Sequence, residues 1–233
     1  MNTTPEQIAD LTKAHTDAHQ DLLDFANSLE KRIADKEKEV DALIANARSE
    51  YGHVCFTPNQ RMQPKGDNTG VDQLNHIYMT LDVQAAAAFA SGSGSANGWP
   101  NTIGQEFGEA MNCKYYNSTF YIVNINWLQT AQHSHPSRFH DSWTSGTHQG
   151  SFTEAAYIKL ISGTIGGDFN LYKSYDNGWG LYGRYSTNPF YATHTGLLLT
   201  SESGQMLMAM YGKATGRVDL ENGQWGLFPA INN

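Results

Sequence analysis

The chain has 233 residues, and its 23 acidic and 15 basic side chains give a formal charge of −8. An acidic chain without a basic cluster argues against nucleic acid as a partner, because Lys and Arg supply most of the affinity for phosphates. No run approaches the roughly 18 apolar residues of a membrane span, and the N-terminus lacks the basic-then-apolar order of a signal peptide, so we expect a soluble mature protein. The two cysteines, Cys55 and Cys113, form no Cys-x-x-Cys pair, and we expect both thiols to be free.

Charged and aromatic residues are unevenly distributed along the chain. The first 50 residues hold 11 acidic and six basic residues, one aromatic residue and no glycine, whereas all 22 glycines follow. Such a change in composition indicates two domains. We predict an α+β protein with a coiled-coil stalk at 1–51 and a mainly antiparallel β body at 52–233.

The stalk is predicted to be one long helix. Thr4, Pro5 and Gln7 suit the cap, the first helical position and a capping box, and Gly52 suits the C-terminal end. Apolar residues recur at spacings of three and four with one stutter near Ala26, and polar residues surround this narrow stripe. Self-association would bury the stripe, whereas the alternative is a helix packed on its own C-terminal body. The candidate oligomerisation residues are Ile8, Leu11, His15, Leu22, Leu29, Ile33, Val40 and Leu43.

The a- and d-type residues of this stripe are typical of a parallel dimer, although His15 and Lys36 interrupt it. At an a-type position, copies of His15 would meet on the axis of the assembly. They could hold an anion, water or a metal ion, or form a polar layer that fixes the register.

The body reads as short strands between turn residues. Strands are predicted at 119–127, 154–161, 196–200, 205–211 and 217–221, and a short helix at 85–90. Two Asn-Gly turns, each followed by Trp-Gly-Leu and an aromatic residue, are predicted to form hairpins that pack Trp179 and Trp225 into the core. Surface loops are predicted at 91–98 and 141–148.

Aromatic residues among Asn, Ser, Gly and Asp suit carbohydrate binding, because rings stack on sugar faces while short polar groups bind hydroxyls. Aromatic residues also fill β cores, so at least half of the candidates are expected to be buried. The candidate ligand-binding residues are Trp99, Trp143, Tyr175, Trp179, Tyr182, Tyr185 and Tyr191.

A histidine-rich segment offers the clearest candidate for a metal site. His133 and His135 would point to the same side of an extended strand and could chelate one ion, or could simply belong to a polar loop. The sequence contains no nucleophile elbow, zinc-protease helix or phosphate loop, and no carboxylate pair can be identified for glycoside hydrolysis, so we expect no enzymatic activity and no cofactor other than this candidate axial metal ion.

The chain resembles a bacteriophage tail fibre or receptor-binding protein in the order of its parts. Heptads run from Ile8 to Ala47, the composition changes at Tyr51-Gly52, and a glycine- and aromatic-rich body with His133-Ser-His135 follows. The resemblance implies a parallel homotrimer, with His133 and His135 as axial metal ligands. It implies a location on the virion after assembly in the host cytoplasm, with the N-terminal end facing other tail or neck proteins. The body would bind a polysaccharide or protein of the bacterial surface.

Three alternatives share this layout. A structural virion component, such as a head fibre or a neck or collar adaptor, would dock its body on other virion proteins. A capsule depolymerase would need a carboxylate pair that folding assembles. A cellular adhesin with a coiled-coil stalk would need an export route.

Overall fold

A computed structural model describes residues 4–50, 53, 55, 57, 59–130, 137–143, 151–167, 169–186 and 194–228, with the backbone alone at 41–50, 140–143 and 194–195. The chain divides into two units, Met1–Gly52 and His53–Asn233. The first unit is helical and the second contains two antiparallel sheets, so the protein is α+β.

Helix α1 spans Pro5–Glu50. At its start the Thr4 N–H donates to Gln7 Oε1 at 3.0 Å, and the Gln7 N–H donates to Thr4 Oγ1 at 3.4 Å. These reciprocal bonds form the predicted capping box, with Pro5 at the first helical position. At about 1.5 Å per residue, its 46 residues extend about 69 Å.

The second unit contains ten strands in its described part. They are β1 His76–Ile77, β2 Met79–Phe89, β3 Phe120–Gln129, β4 Ser137–Trp143, β5 Phe152–Ser162, β6 Ile165–Gly166, β7 Asn170–Ser174, β8 Gly180–Ser186, β9 His194–Leu199 and β10 Ser203–Thr215. One sheet has the order β2-β3-β10-β5-β8-β7, and the smaller sheet has the order β1-β4-β9-β6. The predicted strands at 119–127, 154–161, 196–200 and 205–211 are confirmed as β3, β5, β9 and β10, with shifted bounds.

Both faces of the six-stranded sheet are covered by apolar residues. Along β10, Met206 and Met208 face a core shared with Leu197 and Leu199 of the smaller sheet. The intervening residues face a second core, built against helix α2 (Thr102–Ala110) and residues 216–228. Side chains alternate across a strand, so one central strand contributes to both cores. Trp179 and Trp225 are buried in the second core, as predicted.

Helix α2 was not anticipated from the sequence. Its cap is Asn101, whose Oδ1 accepts the Gly104 N–H at 3.0 Å, while its Nδ2 donates to the Ala86 carbonyl at 2.6 Å. Gly104 and Gly108 sit where side chains would overlap the rings of Pro100 and Trp99. Two glycines lower helix propensity but let these rings pack closely.

Two predicted elements are wrong. Residues 85–90 are not helical, because Ala85, Ala87 and Ala88 pair with β3 as part of β2, around a bulge. Residues 217–221 do not form a strand. Backbone N–H groups of this segment bind side chains instead of a neighbouring strand. The Val218 N–H donates to Thr153 Oγ1 at 2.8 Å, and the Leu220 N–H donates to Tyr185 Oη at 3.1 Å.

The two predicted Asn-Gly turns differ in outcome. Asn177 and Gly178 have φ values of 58° and 79° and connect β7 to β8, so the first hairpin is confirmed. The second turn, closed by a 3.0 Å bond from the Gly223 N–H to the Leu220 carbonyl, lies in a segment without strands. The prediction of a second hairpin is therefore wrong. The predicted loop at 91–98 is confirmed as turns. The other predicted loop begins inside β4 at 141–143, and the rest of it lies outside the described residues.

Candidate ligand pocket

The seven aromatic residues that the sequence offers as ligand candidates do not share one surface. Trp179 is 1% exposed and its ring meets Phe107 edge-on, with 4.8 Å between centroids, so it is a core residue that a ligand at the surface would not reach. Four others are half-buried: Trp99, Tyr175, Tyr182 and Tyr185. Tyr182 and Tyr185 pack against opposite cores. The Trp143 side chain and all of Tyr191 lie outside the described residues.

The candidate metal ligands His133 and His135 also lie outside the described residues, so axial metal binding stays a prediction. Within the part of the chain that is described, no cluster of three or more His, Cys, Asp or Glu side chains could hold a metal ion. Cys55 and Cys113 are free thiols, as predicted; Cys55 is buried and Cys113 is half-buried.

A pocket of about 390 Å³ opens on the α2 side of the six-stranded sheet. Four separate parts of the chain form it: the end of α2 with residues 111–118, Tyr157 of β5, Met210 of β10, and residues 223–227. The volume lies at the lower end of the range for small-molecule pockets in proteins, which is about 300–1,000 Å³.

A bulge in β10 supplies one wall of the pocket. The register of β10 against β5 shifts between Ala209 and Gly212, and Met210 has a φ of 54°. An extra residue at a bulge turns its side chain out of strict alternation, so consecutive residues Ala209 and Met210 both join the α2-side core. The Met210 carbonyl accepts the indole N–H of Trp225 at 2.8 Å, which fixes the wall opposite.

Tyr116 lines the pocket, but its hydroxyl oxygen is buried. The nearest polar group to that oxygen is the thiol of Cys113. Burial raises the pKa of Tyr116 far above its usual value of 10.0, and the thiol of Cys113 and the hydroxyl of Tyr157 add to that rise. Cys113 and Tyr157 also line the pocket. The Tyr116 hydroxyl stays protonated and belongs to the packed layer behind the pocket surface.

Some of the aromatic residues predicted to bind a ligand pack against residues that line this pocket. The Trp99 ring lies 6.3 Å from the Tyr116 ring, and the Tyr175 ring lies 5.9 Å from the Tyr157 ring. The Tyr157 hydroxyl in turn donates to the Trp225 carbonyl at 2.6 Å. Three of the sequence candidates, Trp99, Tyr175 and Trp179, thus hold lining residues in place without lining the pocket themselves.

The described lining carries no acidic, basic or histidine side chain. Polar groups of Asn117 and Ser118 lie at its edge, while Met111, Trp225 and Leu227 provide apolar wall. The ammonium group of Lys173 lies next to Gly223, one of the lining residues. The arrangement suits a ligand with both apolar and hydrogen-bonding parts.

A buried ionic cluster lies on the opposite side of the same sheet. Glu154 of β5 is fully buried, accepts from Arg184 Nε at 2.8 Å and from the Tyr211 hydroxyl, and pairs in register with Lys213 of β10. Burial alone would raise the pKa of Glu154, but the charges of Lys213 and Arg184 and the hydrogen bonds outweigh it, so the pKa lies below 4.5. One carboxylate shared by two cations is held ionised, which fits a structural role.

The sequence did not reveal the pocket, because its lining comes from distant positions without a common spacing. Tyr116 and Met210 belong to no recognisable motif, Cys113 is predicted only as a free thiol, and Trp225 is predicted only as a core residue. The pair of glycines four residues apart, Gly104 and Gly108, was the signal that could have located the packed aromatic layer beside it.

Comparison with protein families, with curated proteins and with solved structures found no match for this chain. In the described ranges, neither helix has a stretch long and apolar enough to cross a membrane.

Proposed function

We propose that the chain is a bacteriophage tail fibre or receptor-binding protein, a parallel homotrimer that attaches the virion to a polysaccharide or protein of the bacterial surface. Its N-terminal coiled-coil stalk joins other tail or neck proteins, and its body binds the host. The role is binding rather than catalysis.

The observation that carries this proposal is the apolar stripe of α1. Its large apolar side chains are between 37% and 73% exposed: Ile8, Leu11, Leu22, Phe25, Leu29, Ile33 and Val40. Single exposed apolar residues are ordinary, but a stripe repeated over more than 30 residues is typical of an interface between helices. Copies of α1 side by side would remove this surface from water.

A stalk that holds several copies of the body together would compensate for a low affinity of each single binding site. A pocket of about 390 Å³ would hold a small ligand with modest affinity. Linking three such pockets in one trimer raises the overall affinity through effective concentration. The absence of carboxylates from the described lining favours binding over hydrolysis at this site.

Analytical ultracentrifugation of the full chain tests the trimer. We expect a trimer at micromolar concentration, and expect Ile33→Asp to dissociate it because a buried carboxylate would meet its own copies. Ala34→Asp is the matched control, since it also adds one negative charge, at the neighbouring exposed position outside the stripe, and should leave the trimer intact. A wild-type monomer, or equal behaviour of both variants, would contradict the stalk proposal.

Host attachment is tested with a fluorescent fusion of the full chain on a panel of bacterial hosts. Labelling of a susceptible host that a capsule-free mutant loses would support the proposal. A trimer that labels no susceptible host would instead favour a structural role in the head, neck or collar.

A further inference from the structure

We propose that His15 and His19 of helix α1 together bind one divalent transition-metal ion, and that a neighbouring copy of the stalk completes its coordination. This inference rests on the proposed self-association of α1. It gives the stalk a metal site of its own, separate from the candidate pair His133 and His135.

The two histidines are about one helical turn apart. Both side chains are exposed, and both lie well inside α1, which begins at Pro5. Residues four positions apart on an α-helix lie on the same face, with about 5–6 Å between their Cβ atoms. Zinc proteases hold their ion with two histidines at this spacing on one helix. The pair can therefore chelate one ion through two imidazole nitrogens.

Two neighbouring threonines do not compete for the imidazole nitrogens. Thr12 and Thr16 each lie three positions before one of the histidines, on the same face of the helix. The Thr12 hydroxyl donates to the Ile8 carbonyl at 2.8 Å, and the Thr16 hydroxyl donates to the Thr12 carbonyl at 2.9 Å. Each hydroxyl is thus bound to the backbone of its own helix.

The charge of this part of the helix also favours a cation. Residues 5–27 carry five acidic side chains and one lysine, a net charge of −4, whereas residues 28–50 carry six acidic and five basic side chains, a net charge of −1. The histidine pair lies in the more acidic half. A metal ion bound there is attracted by the surrounding negative charge.

One copy of the chain supplies only part of the coordination that a transition-metal ion needs. Among the described residues, no third His, Cys, Asp or Glu side chain forms a metal-binding group with the pair. His15 is at an a-type position, seven residues after Ile8, and His19 is at the e-type position beside the stripe. In a parallel trimer the copies of His15 meet on the axis, so a neighbouring copy can supply a third imidazole. Three protein ligands and one water form a usual zinc site.

The imidazole ligands select the class of metal. Zn²⁺, Cu²⁺ and Ni²⁺ bind imidazole nitrogen readily, whereas Mg²⁺ and Ca²⁺ prefer oxygen ligands. The bound ion would connect neighbouring helices at the level where His15 interrupts the apolar stripe. We therefore expect Zn²⁺ to stabilise the trimer and Mg²⁺ to leave it unchanged.

The experiment measures the rate at which diethyl pyrocarbonate modifies each histidine of the full chain, read by mass spectrometry, during a titration with Zn²⁺. At a free Zn²⁺ concentration of twice its Kd, modification of His15 and His19 should slow about threefold. Mg²⁺ at the same concentration should have no effect. His76 is the internal reference, because it is half-buried beside the positive charge of Lys65 and should react equally with and without Zn²⁺.

A change of spacing tests the pair without changing the number of histidines. The spacing variant combines His19→Ala with Gln20→His, which places the second imidazole five positions after His15, on a different face of the helix. Zn²⁺ should then no longer protect His15. Gln20→Ala is the matched control, because it loses the same 2.9 Å bond from Gln20 to Asp24 but keeps both histidines, and protection should persist.

Analytical ultracentrifugation of the same chains tests the contribution of a neighbouring copy. Zn²⁺ should keep the wild type trimeric on dilution to a concentration at which the metal-free chain dissociates. It should not do so for the spacing variant. Protection of His15 by Zn²⁺ with unchanged dissociation of the trimer would overturn the contribution of the neighbouring copy.

Unchanged modification of His15 and His19 by added Zn²⁺, or equal protection of His15 in the spacing variant, would overturn the metal site. These outcomes are separable from failure of the stalk proposal. A wild-type trimer in which Zn²⁺ protects neither histidine would refute the metal site and leave the stalk standing. Protection in a chain that stays monomeric would refute the stalk and support chelation by the pair alone.

Discussion

Replacing Glu154 by glutamine should strongly destabilise the body. The change keeps the shape of the side chain but removes the negative charge that Arg184 and Lys213 share. Removing one partner of a buried ion pair typically costs about 3–5 kcal/mol, because the remaining charge stays out of water. At about 2–4 °C per kcal/mol for a domain of this size, the melting temperature should fall by roughly 6–20 °C.

Glu106→Gln is the matched control for this prediction. Glu106 on α2 accepts from Lys159 at the same kind of distance, 2.9 Å, but the two side chains are 37% and 23% exposed. Exposed pairs contribute about 0–1 kcal/mol, so this variant should melt within a few degrees of wild type. The stability of both variants is measured by urea and thermal unfolding of the full chain. Equal losses in the two variants would refute the assignment of Glu154 as a buried charge held by two cations.

The effect of Glu154→Gln should also depend on pH. The pKa of Glu154 is lowered in the folded chain relative to 4.5, so its ionised form stabilises the fold above that pH. This contribution is lost as pH falls through the lowered pKa. The stability difference between wild type and Glu154→Gln should therefore be full at pH 7 and shrink below about pH 4, and a difference independent of pH would contradict this charge assignment.

Two further predictions concern glycine and turn positions. Gly108→Ala should destabilise by about 1–3 kcal/mol despite the better helix propensity of alanine, because its Cβ would overlap the Trp99 ring; Gly66→Ala, where a Cβ would meet no atom within 4 Å, should be nearly neutral in the same thermal unfolding. Asn177→Val should cost about 1–2 kcal/mol because φ at Asn177 is 58°, whereas Asn177→Gly should unfold near wild type, and equal effects would contradict the turn assignment.

The parts of the fold that the sequence could predict are those with local signals. Thr4 and Gln7 cap α1 through bonds three residues apart, and β3 is recognisable because Ile122 and Val123 face two different apolar cores. The alanines at 85–90 wrongly indicated a helix. Their helix propensity contributes less free energy than the hydrogen-bonded pairing of β2 with β3. Helix α2 could not be predicted because Gly104 and Gly108 lower its helix propensity. These glycines make room for the rings of Pro100 and Trp99, which is a matter of tertiary packing and not of local preference.

The candidate site was less predictable than the fold, because its parts are assembled by long-range packing. Tyr116 and Trp225 lie more than 100 positions apart and meet only when residues 216–228 fold over the sheet. Aromatic composition indicated a binding body but could not separate Trp179, which is buried, from Tyr175, which is half-buried. Whether an aromatic side chain is buried depends on which face of its strand or turn it occupies. The residue type alone does not determine that face.

Residues 216–228 are held on the body mainly through their own backbone groups. Gln60 donates to the Gly226 carbonyl at 2.7 Å and accepts the Phe228 N–H at 2.9 Å, and Thr153 binds the backbone at Gly216 and Val218. These bonds use backbone groups of the segment and side chains from the rest of the body. Any non-proline residue supplies the same backbone donors and acceptors, so the exposed side chains of the segment carry little of its anchoring. We therefore expect alanine substitutions at the exposed positions Glu221 and Gln224 to change the melting temperature by no more than a few degrees.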